Sequence, residues 1–150
     1  MEEARVREVI DFAIRKEQEA IDLYTSMSEK VRAPRLREML LDLAKQETGH
    51  RRMLEELTPA KLGRWGSGSV PDLRIADYTD SSEIAPDADY QDILTIAMKR
   101  EEKARDLYAL IASNTEEADM KELFDFLARE EQKHKLALER EYDEHVLTDN

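Results

Sequence analysis

The sequence contains no cysteine among its 150 residues. This absence excludes disulfide bonds, thiolate nucleophiles, zinc ribbons and cysteine-bound iron–sulfur centres within the chain. Glycine and proline are also scarce, with four of each, and aromatic residues make up only 6%. A chain with so few helix-breaking residues favours long helices.

Long apolar runs are missing as well. None approaches the roughly 20 residues that a membrane-spanning helix needs, and the N-terminal residues carry no hydrophobic signal region. We therefore expect a soluble, cytoplasmic protein without a membrane partner. The formal net charge of −12 argues against nucleic acid as a partner, because phosphate backbones are bound by clustered Lys and Arg.

The chain does contain four apolar stripes with helical spacing. Their steps alternate between three and four residues, as on the buried face of a helix in a bundle. The stripes predict helices over residues 3–31 and 34–57, a third helix capped by Asp89 and a fourth capped by Thr115. Residues 58–88 contain three of the four prolines and a glycine cluster, which predicts a linker with at most a short turn of helix.

The two halves of the chain repeat one another. Residues 10–57 align without a gap on residues 94–141, and 13 of these 48 positions are identical, against roughly three or four expected by chance. We therefore interpret residues 1–150 as one domain made of two helical hairpins, residues 1–57 and 89–146, joined by a crossover linker over residues 58–88.

Six polar side chains interrupt the apolar stripes at equivalent places in the two halves. A carboxylate on a buried face must be paired or must bind a metal. Glu-x-x-His places its two side chains one turn apart on the same helix face. The predicted metal ligands are Glu17, Glu47, His50, Glu101, Glu131 and His134.

Their positions along the helices predict that these residues meet. Glu17 and Glu47 are equidistant from residue 32, where the first hairpin turns, and Glu101 and Glu131 are equidistant from residue 116. In an antiparallel hairpin, residues equidistant from the turn lie side by side. A pseudo-two-fold axis relating the hairpins would then bring all six ligands together in the middle of the bundle.

The length of the linker selects the topology. A 24-residue helix is about 36 Å long, and at least about 11 extended residues are needed to span it. Residues 58–88 are long enough, whereas a short loop would suffice between antiparallel neighbours. The prediction is therefore an all-α four-helix bundle of up-down-down-up order, with one long crossover between the second and third helices.

The proposed ligand set also indicates the metal. Four carboxylates balance the charge of two divalent ions, which suits a buried site. Carboxylate and imidazole ligands without thiolate favour two iron ions, with manganese or zinc as alternatives.

These residues resemble the rubrerythrin-like branch of the ferritin-like di-iron superfamily, in which two helices give a Glu each and two give Glu-x-x-His. The sequence segments that carry the resemblance are AIRKEQEAIDLY at 13–24, AKQETGH at 44–50, DYQDIL at 89–94, MKREEKARDLY at 98–108 and AREEQKH at 128–134. Rubrerythrin proper has a further carboxylate where this chain has Ala104, so the ligand set here is symmetric, similar to bacterioferritin. It also has a cysteine-rich rubredoxin domain, which this chain lacks.

The resemblance implies a di-iron oxidoreductase of oxidative-stress type that reduces hydrogen peroxide or dioxygen. Electrons would come from a separate donor, such as rubredoxin or a flavoprotein, and we expect a homodimer. Tyr24 and Tyr108, two turns beyond Glu17 and Glu101, are either hydrogen-bond partners of the ligand carboxylates or plain core aromatics. Two other functions stay open: an iron-handling ferroxidase, and a structural bundle stabilised by its metal.

Overall fold

The computed structural model describes residues 2–65 and 89–147, which are helical almost throughout and contain no strand. The elements are α1 (Glu2–Lys30), α2 (Pro34–Glu55), a short α3 (Pro59–Trp65), α4 (Tyr90–Ser113), α5 (Ala118–Tyr142) and a π-helical turn (Asp143–Leu147). The predicted all-α class is confirmed. The predicted linker contributes α3, and its remainder, residues 66–88, lies outside the described residues. No described helix is long and apolar enough to cross a membrane.

The first hairpin turns sharply before α2. Pro34 occupies the first turn of α2, where a missing N–H leaves no hydrogen bond unmade, and Ala33 before it is extended. The Arg37 side chain then donates from Nε to the Ser28 carbonyl oxygen at 3.2 Å. These local constraints reverse the chain between α1 and α2.

The second hairpin begins at the predicted cap of α4, but the cap of α5 lies two residues after the predicted one. Asp89 caps α4, because its side chain accepts a hydrogen bond from the Asp92 backbone N–H at 2.9 Å. Thr115 is not the cap of α5: the N-cap is Glu117, which makes no side-chain capping bond. The Thr115 hydroxyl instead lies 3.2 Å from Met120 Sδ, so this prediction was wrong.

Hydrogen bonds between the hairpins establish their relative direction. Tyr24, late in α1, donates to Glu101 in the first half of α4, whereas Tyr108, late in α4, donates to Glu17 of α1. Helices α1 and α4 are therefore antiparallel. Since α2 reverses the direction of α1, α2 and α4 run parallel, which confirms the up-down-down-up order of the four long helices.

The apolar core forms two clusters, one toward each end of the bundle. The first contains the α1 residues 6–13, the α4 residues 107–112 and the α5 residues 120–127, and α3 covers it with the buried Leu62 and Trp65. The second contains the later part of α1, the first part of α2 and the start of α4. On each long helix, the predicted ligands fall between the two clusters.

Removing the α4 cap should destabilise the protein measurably. Asp89→Ala leaves the Asp92 N–H without its partner, and a lost N-cap costs about 1 kcal/mol. Asp89→Asn keeps an acceptor oxygen and should lose only a small part of this. Urea unfolding in the presence of chelator measures the difference. Thr115→Ala is the control, and an equal loss of unfolding free energy in Thr115→Ala and Asp89→Ala would contradict the assignment of the caps.

Candidate metal centre

The six predicted ligands lie together in the middle of the bundle. Each comes from a different turn of the four long helices, and each is at most 4% exposed to solvent. Burial of this many ionisable groups is costly unless they are paired or bind a cation. The interruption of the apolar stripes therefore corresponds to one polar layer between two apolar clusters.

The side chains form two overlapping groups of possible ligands. Glu17, Glu47, His50 and Glu131 make one group; Glu47, Glu101, Glu131 and His134 make the other. Within each group, the ligand atoms lie within 4.8 Å of one another. Glu47 and Glu131 belong to both groups, so these two carboxylates would be shared if each group held an ion.

Both histidines direct Nδ1 toward the carboxylates. His50 Nδ1 lies 2.9 Å from Glu131 Oε1 and 3.8 Å from oxygens of Glu17 and Glu47. His134 Nδ1 lies 2.7 Å from Glu47, 3.5 Å from Glu101 and 3.8 Å from Glu131. Two ligands about 2.1 Å from one ion and at right angles are about 3 Å apart. The spacing of these atoms therefore fits a coordination sphere.

Several atoms of the centre have no hydrogen-bond partner although they are buried. They are Glu17 Oε2, Glu47 Oε1, Glu101 Oε2 and His134 Nδ1. Two of these atoms, His134 Nδ1 and Glu47 Oε1, are only 2.7 Å apart, yet they do not form a hydrogen bond with each other. Buried polar atoms in this state are unfavourable, and a cation between them would satisfy them all. The donor set therefore fits the metal ions it was predicted to hold.

Without a cation, three of the four carboxylates are shifted toward their protonated forms. Burial, together with the charges of neighbouring carboxylates, raises the pKa of Glu17 and Glu131 well above the ordinary value and that of Glu47 to about 8. For Glu101 burial acts in the same direction, but its interactions with the neighbouring Glu131 and His134 outweigh burial and lower its pKa. Protons thus compete for the places that metal ions would take.

The two histidines are shifted in opposite directions. Burial and the neighbouring His134 lower the pKa of His50 to about 4. Burial would also lower the pKa of His134, but its contacts with Glu101, Glu131 and Glu47 raise it far above the ordinary value. In the metal-free protein, these carboxylate contacts therefore favour the protonated form of His134.

Tyr24 and Tyr108 connect the two hairpins through the candidate ligands. Tyr108 Oη donates to Glu17 Oε1 at 2.6 Å, and Tyr24 Oη donates to Glu101 Oε1. Both rings are completely buried, and burial and the carboxylate charges raise their pKa, so they remain donors. Each tyrosine holds one oxygen of the opposite helix's glutamate and leaves the other, Oε2, directed at the centre.

A pocket opens from the centre between α1 and α4. Its lining includes the four carboxylates and Tyr108, which are buried, together with Ala20, Ala104 and Leu107. The partly exposed Lys16, Arg100 and Lys103 also line it. This route was not predicted, although Ala20 and Ala104 are identical in the repeat and lie three residues after Glu17 and Glu101. Small residues at that position leave space beside the ligands.

His145 lies away from the centre, in the π-helical turn. Its Nε2 is 3.8 Å from Glu141 and 3.7 Å from Glu144. Glu141 is already engaged by Arg35 at 2.9 Å and by the Tyr90 hydroxyl. This group therefore closes the end of the bundle rather than adding a ligand to the centre.

Comparison with known proteins supports this arrangement. The sequence model of the rubrerythrin family matches residues 8–142. A solved structure of a hypothetical protein from Pyrococcus furiosus is similar, with 26% identity, 92% of this chain and 88% of that chain covered, and a TM-score of 0.70. No curated protein sequence matches significantly. The family implies a di-metal site, and the buried Glu and His cluster offers the groups to hold one.

Substitution of single ligands should reveal which residues are shared. His50→Ala touches one ligand group and should leave one bound ion of two, whereas Glu131→Gln touches both groups and should weaken both. Metal content after dialysis, measured by atomic emission, gives the ratio of metal to chain. Glu102→Gln is the control, because Glu102 adjoins Glu101 but is exposed. Two full equivalents in a Glu47→Gln, Glu131→Gln double variant would show that the ligand assignment is wrong.

Metal removal should make stability fall as the pH rises. In the metal-free protein, Glu17, Glu47 and Glu131 keep protons that the unfolded chain releases near its ordinary pKa of 4.5. The native state then binds more protons, so unfolding free energy declines from about pH 4.5 through the Glu47 pKa of about 8. His134 adds to this trend above its ordinary pKa, and His50 opposes it only below 6.5.

Melting temperatures with chelator should therefore decrease between about pH 5 and pH 8. Saturation with metal should remove this decrease, because deprotonated ligands bind the ion, and a hundredfold excess over Kd adds about 2.7 kcal/mol per site. Melting temperatures that are equal with and without metal, after its removal has been verified, would contradict the account.

Proposed function

The chain belongs to the rubrerythrin family, and from this premise we propose that it is a di-iron oxidoreductase that reduces hydrogen peroxide with electrons from a separate donor. The observation that carries the proposal is the pocket between α1 and α4, whose lining includes the four candidate ligand carboxylates. A small molecule in this pocket would reach a bound ion from the side of the carboxylates, since neither His50 nor His134 lines the pocket.

The donor set suits redox chemistry with iron. Four carboxylates and two imidazoles, without thiolate, favour iron or manganese among biological metals. Reduction of one peroxide to two water molecules consumes two electrons and two protons and breaks the O–O bond. Two ferrous ions held side by side would supply both electrons at one place.

The protein's own side chains would confine and orient the peroxide. Ala20, Ala104 and Leu107 leave room for a small molecule, and the buried surroundings keep bulk water out. Tyr108 Oη, which lines the pocket, keeps its proton because its pKa is raised, and it fixes Glu17 through a hydrogen bond. Glu17 Oε2 is thereby held toward the centre rather than toward the peroxide.

The reductant would be a different molecule, since the chain has no cysteine and hence no rubredoxin-type centre. We propose a small electron carrier such as rubredoxin or a flavoprotein. Three basic side chains, Lys16, Arg100 and Lys103, line the pocket on a protein of net charge −12, and Glu19 pairs with two of them, Lys16 at 2.9 Å and Arg100 at 3.7 Å. Basic side chains at such a place favour approach of a negatively charged carrier.

The direct test is to mix the reduced, iron-loaded protein with one equivalent of peroxide without oxygen. Rapid two-electron oxidation that can be repeated after re-reduction is the expected result. Slow oxidation by peroxide, together with uptake of many irons per chain under oxygen, would favour iron handling. Absence of any redox reaction despite a metal-dependent melting temperature would favour a structural bundle.

Blocking the pocket should slow peroxide without removing metal. Ala104→Leu fills the wall next to the ligands, and we expect oxidation by peroxide to slow by at least about tenfold, or about 1.4 kcal/mol in the barrier. Ala109→Leu adds the same volume at an exposed position of α4 and is the matched control. Equal rates in both variants, each with two irons bound, would show that peroxide does not enter by this route.

A further inference from the structure

The two candidate ligand histidines are equivalent in the internal repeat but differ in their outer hydrogen bonds. Both direct Nδ1 toward the carboxylates. His134 also has a partner at Nε2, the other ring nitrogen, because Gln46 Oε1 lies 2.8 Å from it. This contact joins α5 to α2, so a residue outside the candidate ligand set links one hairpin to a ligand of the other.

The direction of the Gln46 amide is set by a carboxylate. Gln46 donates from its amide nitrogen to Asp42 Oδ2 at 2.7 Å, one turn earlier on α2. An ionised carboxylate only accepts hydrogen bonds, so the amide nitrogen faces Asp42 and the amide oxygen faces His134. An amide oxygen also only accepts, and His134 Nε2 therefore carries the hydrogen of the bond between them.

A hydrogen at Nε2 decides which nitrogen of His134 is available to a metal ion. A neutral imidazole carries one hydrogen, and its other nitrogen has the lone pair that binds metal. With the hydrogen held at Nε2, the lone pair is at Nδ1, which lies 2.7 Å from Glu47 and 3.5 Å from Glu101. The same bond limits rotation of the ring, so Nδ1 stays directed at the candidate ligands.

His50 lacks an amide partner of this kind. Among the residues that the structure describes, its ring makes a hydrogen bond at Nδ1, to Glu131 at 2.9 Å, and none at Nε2. The repeat equivalent of Gln46 is Glu130, which pairs with Lys133 at 3.0 Å instead. The repeat therefore preserves the two histidines as candidate ligands but not the contact that orients the ring.

We propose that Gln46, oriented by Asp42, is a positioning residue for the metal position of His134 and for that position alone. Outer hydrogen-bond partners of ligand histidines commonly change metal affinity by about 10- to 100-fold. The metal affinity of one position then depends on an exposed pair of side chains on α2, while that of the His50 position does not. The inference requires the dinuclear centre and is independent of the reaction that the centre performs.

The test first separates the two positions, because Glu47 and Glu131 are shared between them. His50→Ala leaves the position of His134, and His134→Ala leaves that of His50. Gln46→Met keeps the length of the side chain and removes the acceptor. It should weaken cobalt(II) binding by at least about tenfold in the His50→Ala protein and leave it unchanged in the His134→Ala protein. Calorimetry and visible absorption measure both affinities without redox chemistry.

Two further variants distinguish orientation of the ring from general packing. Gln46→Glu keeps an acceptor oxygen and should restore the affinity that Gln46→Met loses. Asp42→Asn allows the Gln46 amide to turn and should give a smaller loss in the same direction. Gln91→Met is the matched control, since it removes an exposed glutamine of α4 that donates to Tyr142 Oη at 3.0 Å, and it should change neither affinity.

An unchanged cobalt affinity in the His50→Ala, Gln46→Met protein would overturn the inference. Equal weakening in both single-position proteins would also overturn it, because the effect would then not be specific to His134. Should Gln46→Met fail to fold by circular dichroism, Asp42→Asn in the His50→Ala protein decides, and an affinity equal to that of the parent there counts against the oriented amide.

Nitrogen-15 NMR of the zinc-loaded protein with labelled histidine gives a second readout that needs no single-position variant. The His134 Nε2–H should exchange with water faster in Gln46→Met than in the wild type, because its acceptor is gone, and the His50 signals should be unaltered. Equal exchange at His134 in the two proteins would contradict the proposed hydrogen bond. This measurement decides the matter if His50→Ala binds no ion.

Failure of the metal centre itself would look different. A wild-type protein that binds neither cobalt nor zinc would refute the dinuclear centre, and with it both the proposed function and this inference. Two bound ions whose affinities do not respond to Gln46→Met would refute only the role of Gln46. Peroxide activity plays no part in either outcome.

Discussion

The burial of four carboxylates between two apolar clusters is the constraint on which the rest of the structure depends. Without a counter-charge, the carboxylates of such a layer would lose their hydration and would still repel one another, so their burial would be unfavourable. The free oxygens Glu17 Oε2 and Glu101 Oε2 show that the protein's own hydrogen bonds do not satisfy the layer. Protons relieve part of the repulsion, as the raised pKa of Glu47 indicates. Two divalent ions would neutralise the four carboxylates completely.

The internal repeat explains how one short sequence pattern builds this layer. Each hairpin contributes three candidate ligands at one level, and the pseudo-symmetry places the two levels together. The tyrosines add what a single hairpin cannot: Tyr24 and Tyr108 each fix a glutamate of the other hairpin. They define which oxygen of Glu17 and Glu101 remains available. The orientation of Glu17 and Glu101 is therefore set by hydrogen bonds between the two hairpins rather than by contacts within one helix.

The sequence was sufficient for the features that follow from helical spacing and chain length. Interrupted apolar stripes located the polar layer, and the length of the linker indicated the parallel arrangement of α2 and α4. The sequence was insufficient for features that depend on individual side-chain contacts outside the apolar stripes. Gln46 lies on an exposed face of α2, so nothing in the apolar rhythm marks it as the partner of His134. Thr115 has the side chain of a cap, but the turn closes two residues later, and its hydroxyl faces Met120 instead.

The packing of the helices gives the metal a second role. Helix α1 lies closest to α2, and α4 lies closest to α5, so the backbones approach each other more closely within each hairpin than across the seam between the two hairpins. Each ligand group takes residues from both hairpins: Glu131 joins Glu17 and His50, and Glu47 joins Glu101 and His134. Every bound ion would therefore cross-link the seam through the shared carboxylates. The pocket opens along the same seam, between α1 and α4, so the helices that the ions would link are those between which small molecules would reach the ions.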